Sequence, residues 1–110
     1  MITLHVYLSA RTGKSSELEA AIREEWLPAM TDQPGFVSAA LVSPLPGGEL
    51  TKMGASVPDS PYEVVAFWRT EQERKDWVAR PIHDQVFEPV TAAAESVSWT
   101  VQDVRQSWAV

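Results

Sequence analysis

The amino-acid sequence predicts an α+β fold of the ferredoxin-like kind, a βαββαβ chain with a four-stranded antiparallel sheet and helices on one face. Three observations carry that expectation. Several segments alternate apolar and polar residues with period two, two Ser/Thr-x-x-Glu strings announce helices between them, and the connections are short enough for antiparallel neighbours.

Ile2, Leu4, Val6 and Leu8 alternate with Thr3, His5, Tyr7 and Ser9, the pattern of a strand with one apolar face. After an Arg11-Thr12-Gly13 turn, Ser16-Glu17-Leu18-Glu19 has the form of a capping box and predicts a helix start. Leu18, Ala21, Ile22, Trp26 and Met30 recur at helical spacing, while Glu17, Glu24 and Glu25 are left for water. Pro28, which removes a donor and crowds the preceding carbonyls, is expected to kink the last turn. Gln33-Pro34-Gly35 ends the helix, and Phe36 to Val42 reads as a second, mostly apolar strand.

Residues 43–61 hold Pro44, Pro46, Pro58 and Pro61 with Gly47, Gly48 and Gly54, a composition that resists helix and sheet alike. They are read as one long loop, either a lid over a site or a plain insertion. Tyr62 to Arg69, with Val64, Val65 and Phe67 in the middle, predicts a third, central strand. Thr70-Glu71-Gln72-Glu73 is a second capping box, opening a short helix that carries Arg74, Trp77 and Val78 and stops before Pro81. A further helix runs from about Ile82 through Val86, Val90 and Ala94, with a bend expected at Pro89. Val97, Trp99 and Val101 then alternate with Ser98, Thr100 and Gln102 as a fourth strand, which the tail from Val104 to Val110, with Trp108, extends in one reading.

A sheet covered on one side shows polar residues on the other, yet the second, third and fourth strands read as apolar on both. Val37, Ala39 and Leu41 alternate with Phe36, Ala40 and Val42, and Val65 and Phe67 alternate with Val64, Ala66 and Trp68. A homodimer pairing sheet on sheet is therefore expected, since a monomer would expose a large apolar patch.

With 110 residues, 45% of them apolar and no uninterrupted apolar run of about 18, the chain reads as one soluble domain spanning residues 1–110 and not as a membrane protein. Nine Lys and Arg against fifteen Asp and Glu leave −6 at pH 7, the wrong sign for a surface that tracks phosphates, so nucleic acid is not an expected partner. There is no cysteine to form a disulfide, thiolate nucleophile or zinc-thiolate site, and the first residues lack a basic stretch followed by an apolar core. A cytoplasmic protein is expected. Two histidines on distant elements make a poor metal shell, so no metal is expected. Gly47-Gly48 sits among prolines instead of opening a helix, so no nucleotide or flavin cradle is visible. If the chain is an enzyme, what remains is a reaction without cofactors.

The string Phe67-Trp68-Arg69-Thr70-Glu71-Gln72-Glu73, followed by Asp76-Trp77-Val78-Ala79-Arg80-Pro81-Ile82-His83, resembles the strand-to-helix segment of the antibiotic biosynthesis monooxygenase family, in the dimeric α/β-barrel superfamily. Pro34-Gly35-Phe36 resembles the family's Pro-Gly step into the second strand. The likeness extends over nearly the whole chain. Two departures stand out. Ile82 separates Pro81 from His83, which on a helix turns the histidine by about 100°, and the loop from Ser43 to Pro61 is longer than the family's usual link. The haem-degrading branch of the superfamily uses an asparagine, a tryptophan and a histidine. Trp77 matches the second, but Val6 and Phe87 stand at the other two positions, so the resemblance speaks against haem degradation.

The resemblance implies a reaction that deprotonates an electron-rich phenol, anthrone or quinol, lets the anion pass an electron to dioxygen, and recombines the radicals. That needs a base, a partner for the anion and an apolar pocket. On this reading His83 is the base and Arg80 the anion partner, the substrate is a small aromatic of polyketide or quinol type, dioxygen is the co-substrate, and no cofactor is used. The alternative is a solvated helix start with His83 and Asp84 facing water. His5 shares a row with Thr3 and Tyr7 and is read as a packed interface histidine or a second candidate base, and Glu63 and Arg69 as rim charges. Of the five tryptophans, Trp26, Trp68 and Trp77, with Phe87 nearby, are expected around one mouth as a platform for a flat ligand, against a structural role that is the stronger reading for Trp99 and Trp108. Two other functions stay open on the same scaffold. One is a polyketide cyclase or aromatase that consumes no oxygen, the other a non-catalytic dimeric ligand-binding module.

Overall fold

The computed structural model describes residues 1–109. Its strands are β1 (Ile2–Ala10), β2 (Phe36–Val42), β3 (Tyr62–Trp68) and β4 (Ala94–Asp103), joined antiparallel in the order β2-β3-β1-β4, the ferredoxin-like arrangement. Cross-strand partners share a face, so the register separates two surfaces. Leu4 stands between Ala66 and Val101, and Val6 between Val64 and Trp99, under the helices. His5 stands between Val65 and Thr100, on the side that no helix covers.

The first helical run buries Leu18, Ala21, Ile22, Trp26 and Met30, the stripe expected from their spacing. Its start differs from expectation. The Arg11-to-Lys14 turn, with Gly13 at φ 76°, makes Lys14 the residue before α1 (Ser15–Ala21), and no side chain caps it, so Ser16 already lies inside the first turn. Pro28 produces no simple kink. A π-helical turn, Ile22–Trp26, closes with the Leu27 N–H on the Ile22 carbonyl, and Pro28 enters the first turn of α2 (Leu27–Thr31), where a missing donor costs nothing.

Residues 43–61 are not loop throughout, because they contain α3 (Gly47–Met53), and Gly47-Gly48 does open a helix. Leu50 is buried, Glu49 lies in the first turn with Lys52 three residues on, and Gly54 at φ 73° ends the helix in a Schellman motif, its N–H on the Thr51 carbonyl and that of Ala55 on Leu50. The prolines bound this helix and do not interrupt it.

In β2 a bulge lets Phe36 pair with Trp68 and Ser38 with Phe67, leaving Val37 out of the row. Phe36, Ala39 and Leu41 consequently pack toward the core together, and Ser38, Ala40 and Val42 face the open side, not the grouping that unbroken alternation predicts. The expected second apolar face is present on β2 and β3 but not on β4, which offers Ser98, Thr100 and Gln102. β4 is longer than the alternation predicts and follows α5 (Pro81–Ala93) directly through an extended Ala94. Pro89 is accommodated within α5. The tail does not extend β4. The strand ends at Asp103, Trp108 is exposed, and Val110 lies outside the described residues.

The predicted cap forms at Thr70, whose hydroxyl accepts from the Glu73 N–H at 3.1 Å and donates to the Glu73 carboxylate at 3.0 Å in place of the backbone amide of a full capping box, opening α4 (Glu71–Ala79). Gly35, at φ 89°, lets the chain pass this helix start, where a Cβ would come within 2.6 Å of Glu73 Cβ. Among the described residues no helix is long and apolar enough to cross a membrane. Thr70→Ala removes the cap and is expected to lower stability by about 1 kcal/mol in urea denaturation followed by circular dichroism.

Candidate active site

α4 and α5 meet with one residue between them. Pro81 disfavours the helical backbone at the residue before it, and Arg80 is accordingly extended, at φ −77° and ψ 142°. α5 therefore leaves α4 at a sharp corner, and its first turn folds back on Trp77. The His83 ring lies 5.0 Å from the Trp77 ring, edge to face, and 5.4 Å from the Phe87 ring, nearly parallel to it. Phe87 in turn lies 4.9 Å from Trp26. The His83 side chain is 14% exposed, while Asp84 beside it is 91% exposed. The reading in which both face water holds for Asp84 and fails for His83.

These rings wall a cavity of about 470 Å³, within the range of small-molecule sites. Leu4 and Val6 of β1 and Val97 and Trp99 of β4 form its floor. Trp26 and Met30 close one side, and α4 contributes Arg74, Lys75, Trp77, Val78 and Ala79 opposite. The lining is mostly apolar carbon, and its titratable groups are His83, Arg74 and Lys75.

Four of the sequence-predicted residues thus come together: His83, Trp77, Phe87 and Trp26. Two do not. Trp68, at the end of β3, is wholly buried and packs edge to face on Phe36 at 5.7 Å, so it belongs to the core and not to the mouth. Arg80 does not line the cavity, since the extended backbone before Pro81 carries its side chain elsewhere, with Nη1 buried and unpartnered among the described residues. Nor does any of residues 43–61 line it.

Reading the sequence missed Arg74 and Trp99. Arg74, 8% exposed, is held by Glu71, which accepts from Nε at 2.9 Å and also from Nη2, and its guanidinium lies 5.3 Å from the centre of the Trp99 ring. The Glu71, Arg74, Trp77 spacing of three was the available signal, since it places all three on one helix face. For Trp99, which alternates with Val97 and Val101, a structural role is the stronger reading from the sequence. It does share their face, but β4 is an edge strand, and the ring is 60% exposed at the rim.

His5 belongs to a different place. On the open sheet face its Nδ1 donates to the Glu63 carboxylate at 2.9 Å, and its Nε2 lies 3.1 Å from the Thr3 hydroxyl. Glu63 is therefore a half-buried partner of His5 and not a rim charge, while Arg69 pairs with Glu73 at 3.0 Å. Among the described residues no group of His, Cys, Asp and Glu has the makings of a metal site.

The family model described as antibiotic biosynthesis monooxygenase matches residues 1–89. No curated protein matches the chain. Among solved structures it is similar to a mutant of SnoaB, a cofactor-independent oxygenase from Streptomyces nogalater, at 17% identity and TM-score 0.74, over 96% of this chain and 94% of that one. A mutant of MhuD, with two manganese protoporphyrin IX molecules bound per active site, superposes with TM-score 0.72 at 19% identity over 100% of both chains. A dimeric ferredoxin-like protein of unknown function from Thermobifida fusca aligns with TM-score 0.70 at 13% identity, over 94% of this chain and 90% of that one. At these identities the likeness is one of fold.

Trp77 is 1% exposed and belongs to core and cavity at once. Trp77→Ala is expected to cost about 3–5 kcal/mol in urea denaturation, whereas Trp99→Ala, at the rim, is expected to cost under about 1 kcal/mol.

Proposed function

The chain belongs to the antibiotic biosynthesis monooxygenase family, and from that premise we propose that it is a cofactor-independent monooxygenase acting on a flat aromatic substrate, an anthrone or quinol of polyketide type. The observation that carries this reading is the His83 imidazole, stacked on Phe87 and edge-on to Trp77 inside a mostly apolar cavity. Imidazole exchanges a proton near neutral pH, and aromatic walls suit a flat ligand.

His83 removes a proton from the substrate and, as imidazolium, remains beside the anion. Between mostly apolar walls their attraction is stronger than in bulk solvent, so the imidazolium itself steadies the anion, a role not given to Arg80, which does not line the cavity. The anion passes one electron to dioxygen, and the radical pair joins through a new carbon–oxygen bond. The resulting peroxide takes the proton back from His83, and loss of water leaves a carbonyl. For an anthrone, one dioxygen is consumed, one quinone and one water are formed, and the electrons come from the substrate. Haem breakdown is not part of this reading, because Val6 and Phe87, both lining the cavity, stand where the haem-degrading branch has its asparagine and histidine.

The working form in this reading is a cytoplasmic homodimer packed sheet on sheet. Ala40, Val42, Val65 and Phe67 make an apolar centre on the open face, which a second copy would cover together with the His5 and Glu63 pair. The active cavities lie on the opposite face, one per protomer.

Oxygen electrode traces with anthrones and naphthoquinols, without added metal or flavin, test the reaction. The expected outcome is uptake stoichiometric with quinone, lowered by at least about a hundredfold in His83→Ala. Turnover of a polyketide chain without uptake would instead identify a cyclase, and binding without turnover a ligand-binding module. Light scattering tests the assembly: the wild type is expected at twice the 12.2 kDa chain mass and Phe67→Glu at the chain mass itself, whereas a monomeric wild type contradicts the sheet-on-sheet pairing.

A further inference from the structure

The charge at the cavity runs against the charge of the chain. Asp and Glu outnumber Lys and Arg by fifteen to nine, yet the charged side chains among the lining residues are Arg74 and Lys75, and no Asp or Glu lines the cavity with them. Surfaces of one sign that break the overall sign of a protein concentrate the opposite charge.

Arg74 is also built to receive something. Glu71 occupies the guanidinium edge formed by Nε and Nη2, and the guanidinium carbon lies over the Trp99 ring, 5.3 Å from its centre. That leaves the end edge, with one N–H on each terminal nitrogen, the spacing that two carboxylate oxygens match. Because the guanidinium is held from two directions, little further ordering is needed when a ligand binds. Glu71 offsets the charge of Arg74, but Lys75 next to it is exposed and, among the described residues, has no carboxylate within 4.0 Å, so the rim keeps a net positive charge. Arg74 precedes Trp77 by three residues, about 4.5 Å along the helix axis, and Trp77 is the ring that His83 meets edge to face. A ring system lying along Trp77 would have one end at His83 and the other at Arg74.

We propose that the substrate of this site is an aromatic acid, whose carboxylate is bound by Arg74, seconded by Lys75, at the end of the ring system away from His83. This rests on the cavity being the substrate site, and makes Arg74 the residue that determines specificity for an anionic substituent. The carboxylate is read at the rim and takes no part in proton removal.

The test compares an anthraquinone carboxylate with the matching neutral carboxamide, two unreactive ligands of the same shape, by titration calorimetry on the full chain. The wild type is expected to bind the acid about tenfold more tightly than the amide, a preference that shrinks as salt is raised. Arg74→Gln is expected to bring the two within about twofold, and Lys75→Gln to narrow the gap in part. Should Arg74→Gln fail to fold, Lys75→Gln at its exposed position and the salt dependence of the wild type decide the matter. Equal affinities in the wild type, a preference for the amide, no binding of either ligand, or an acid preference untouched by the substitutions and by salt would each overturn the proposal. Oxygen uptake from an uncharged anthrone is measured alongside. Uptake with no acid preference sinks the carboxylate site alone, and acid preference without uptake sinks the oxygenase reading alone.

Discussion

The candidate site depends on the backbone of one residue. Pro81 cannot follow a helical residue without steric conflict, so Arg80 is extended, its own N–H bonded to the Trp77 carbonyl at 3.1 Å and its carbonyl accepting from the His83 N–H at 3.0 Å. These two bonds turn the chain within a single residue. The corner brings the first turn of α5 over the last turn of α4, and it is the reason that His83 meets Trp77 and then, one helical turn on, Phe87. Ile82, between Pro81 and His83, leaves its own side chain exposed at this corner.

β1 divides the molecule's two working surfaces. Its even residues Leu4 and Val6 form the cavity floor, and its odd residues Thr3, His5 and Tyr7 form the middle of the uncovered sheet face. The two histidines are thereby on opposite sides of one sheet, one among aromatic rings and the other bound to a carboxylate. The same pleat that makes a strand amphipathic keeps the cavity that holds His83 apart from the open sheet face that holds His5.

Period-two and helical patterns made the strand order, the buried stripe of the first helix and the Thr70 cap legible, because those follow from local spacing and from burial on one face. What was not legible depended on how backbones turn at the ends of elements. The side-chain directions of Arg80 and Trp68 are set by an extended residue before proline and by the packing of Phe36, neither of which a spacing shows. Trp99 carries the alternation of a core residue, and only the position of β4 at the sheet edge makes it a rim residue. α3 was hidden because proline and glycine were read as breakers, when Pro46 precedes the helix, Gly54 closes it and Leu50 anchors it. The shift at Val37 is a bulge, which is set by how β2 pairs with β3 and not by the alternation within β2.

The most direct test of the account is proton NMR of the imidazole C–H signals, a small set because the chain has two histidines. Titration with an anthraquinone, whose ring current acts only on near neighbours, is predicted to move the His83 signals progressively to saturation and to leave those of His5 in place. Movement of His5 alone, or of neither histidine while the ligand binds, would contradict the claim that His83 stands in the substrate cavity.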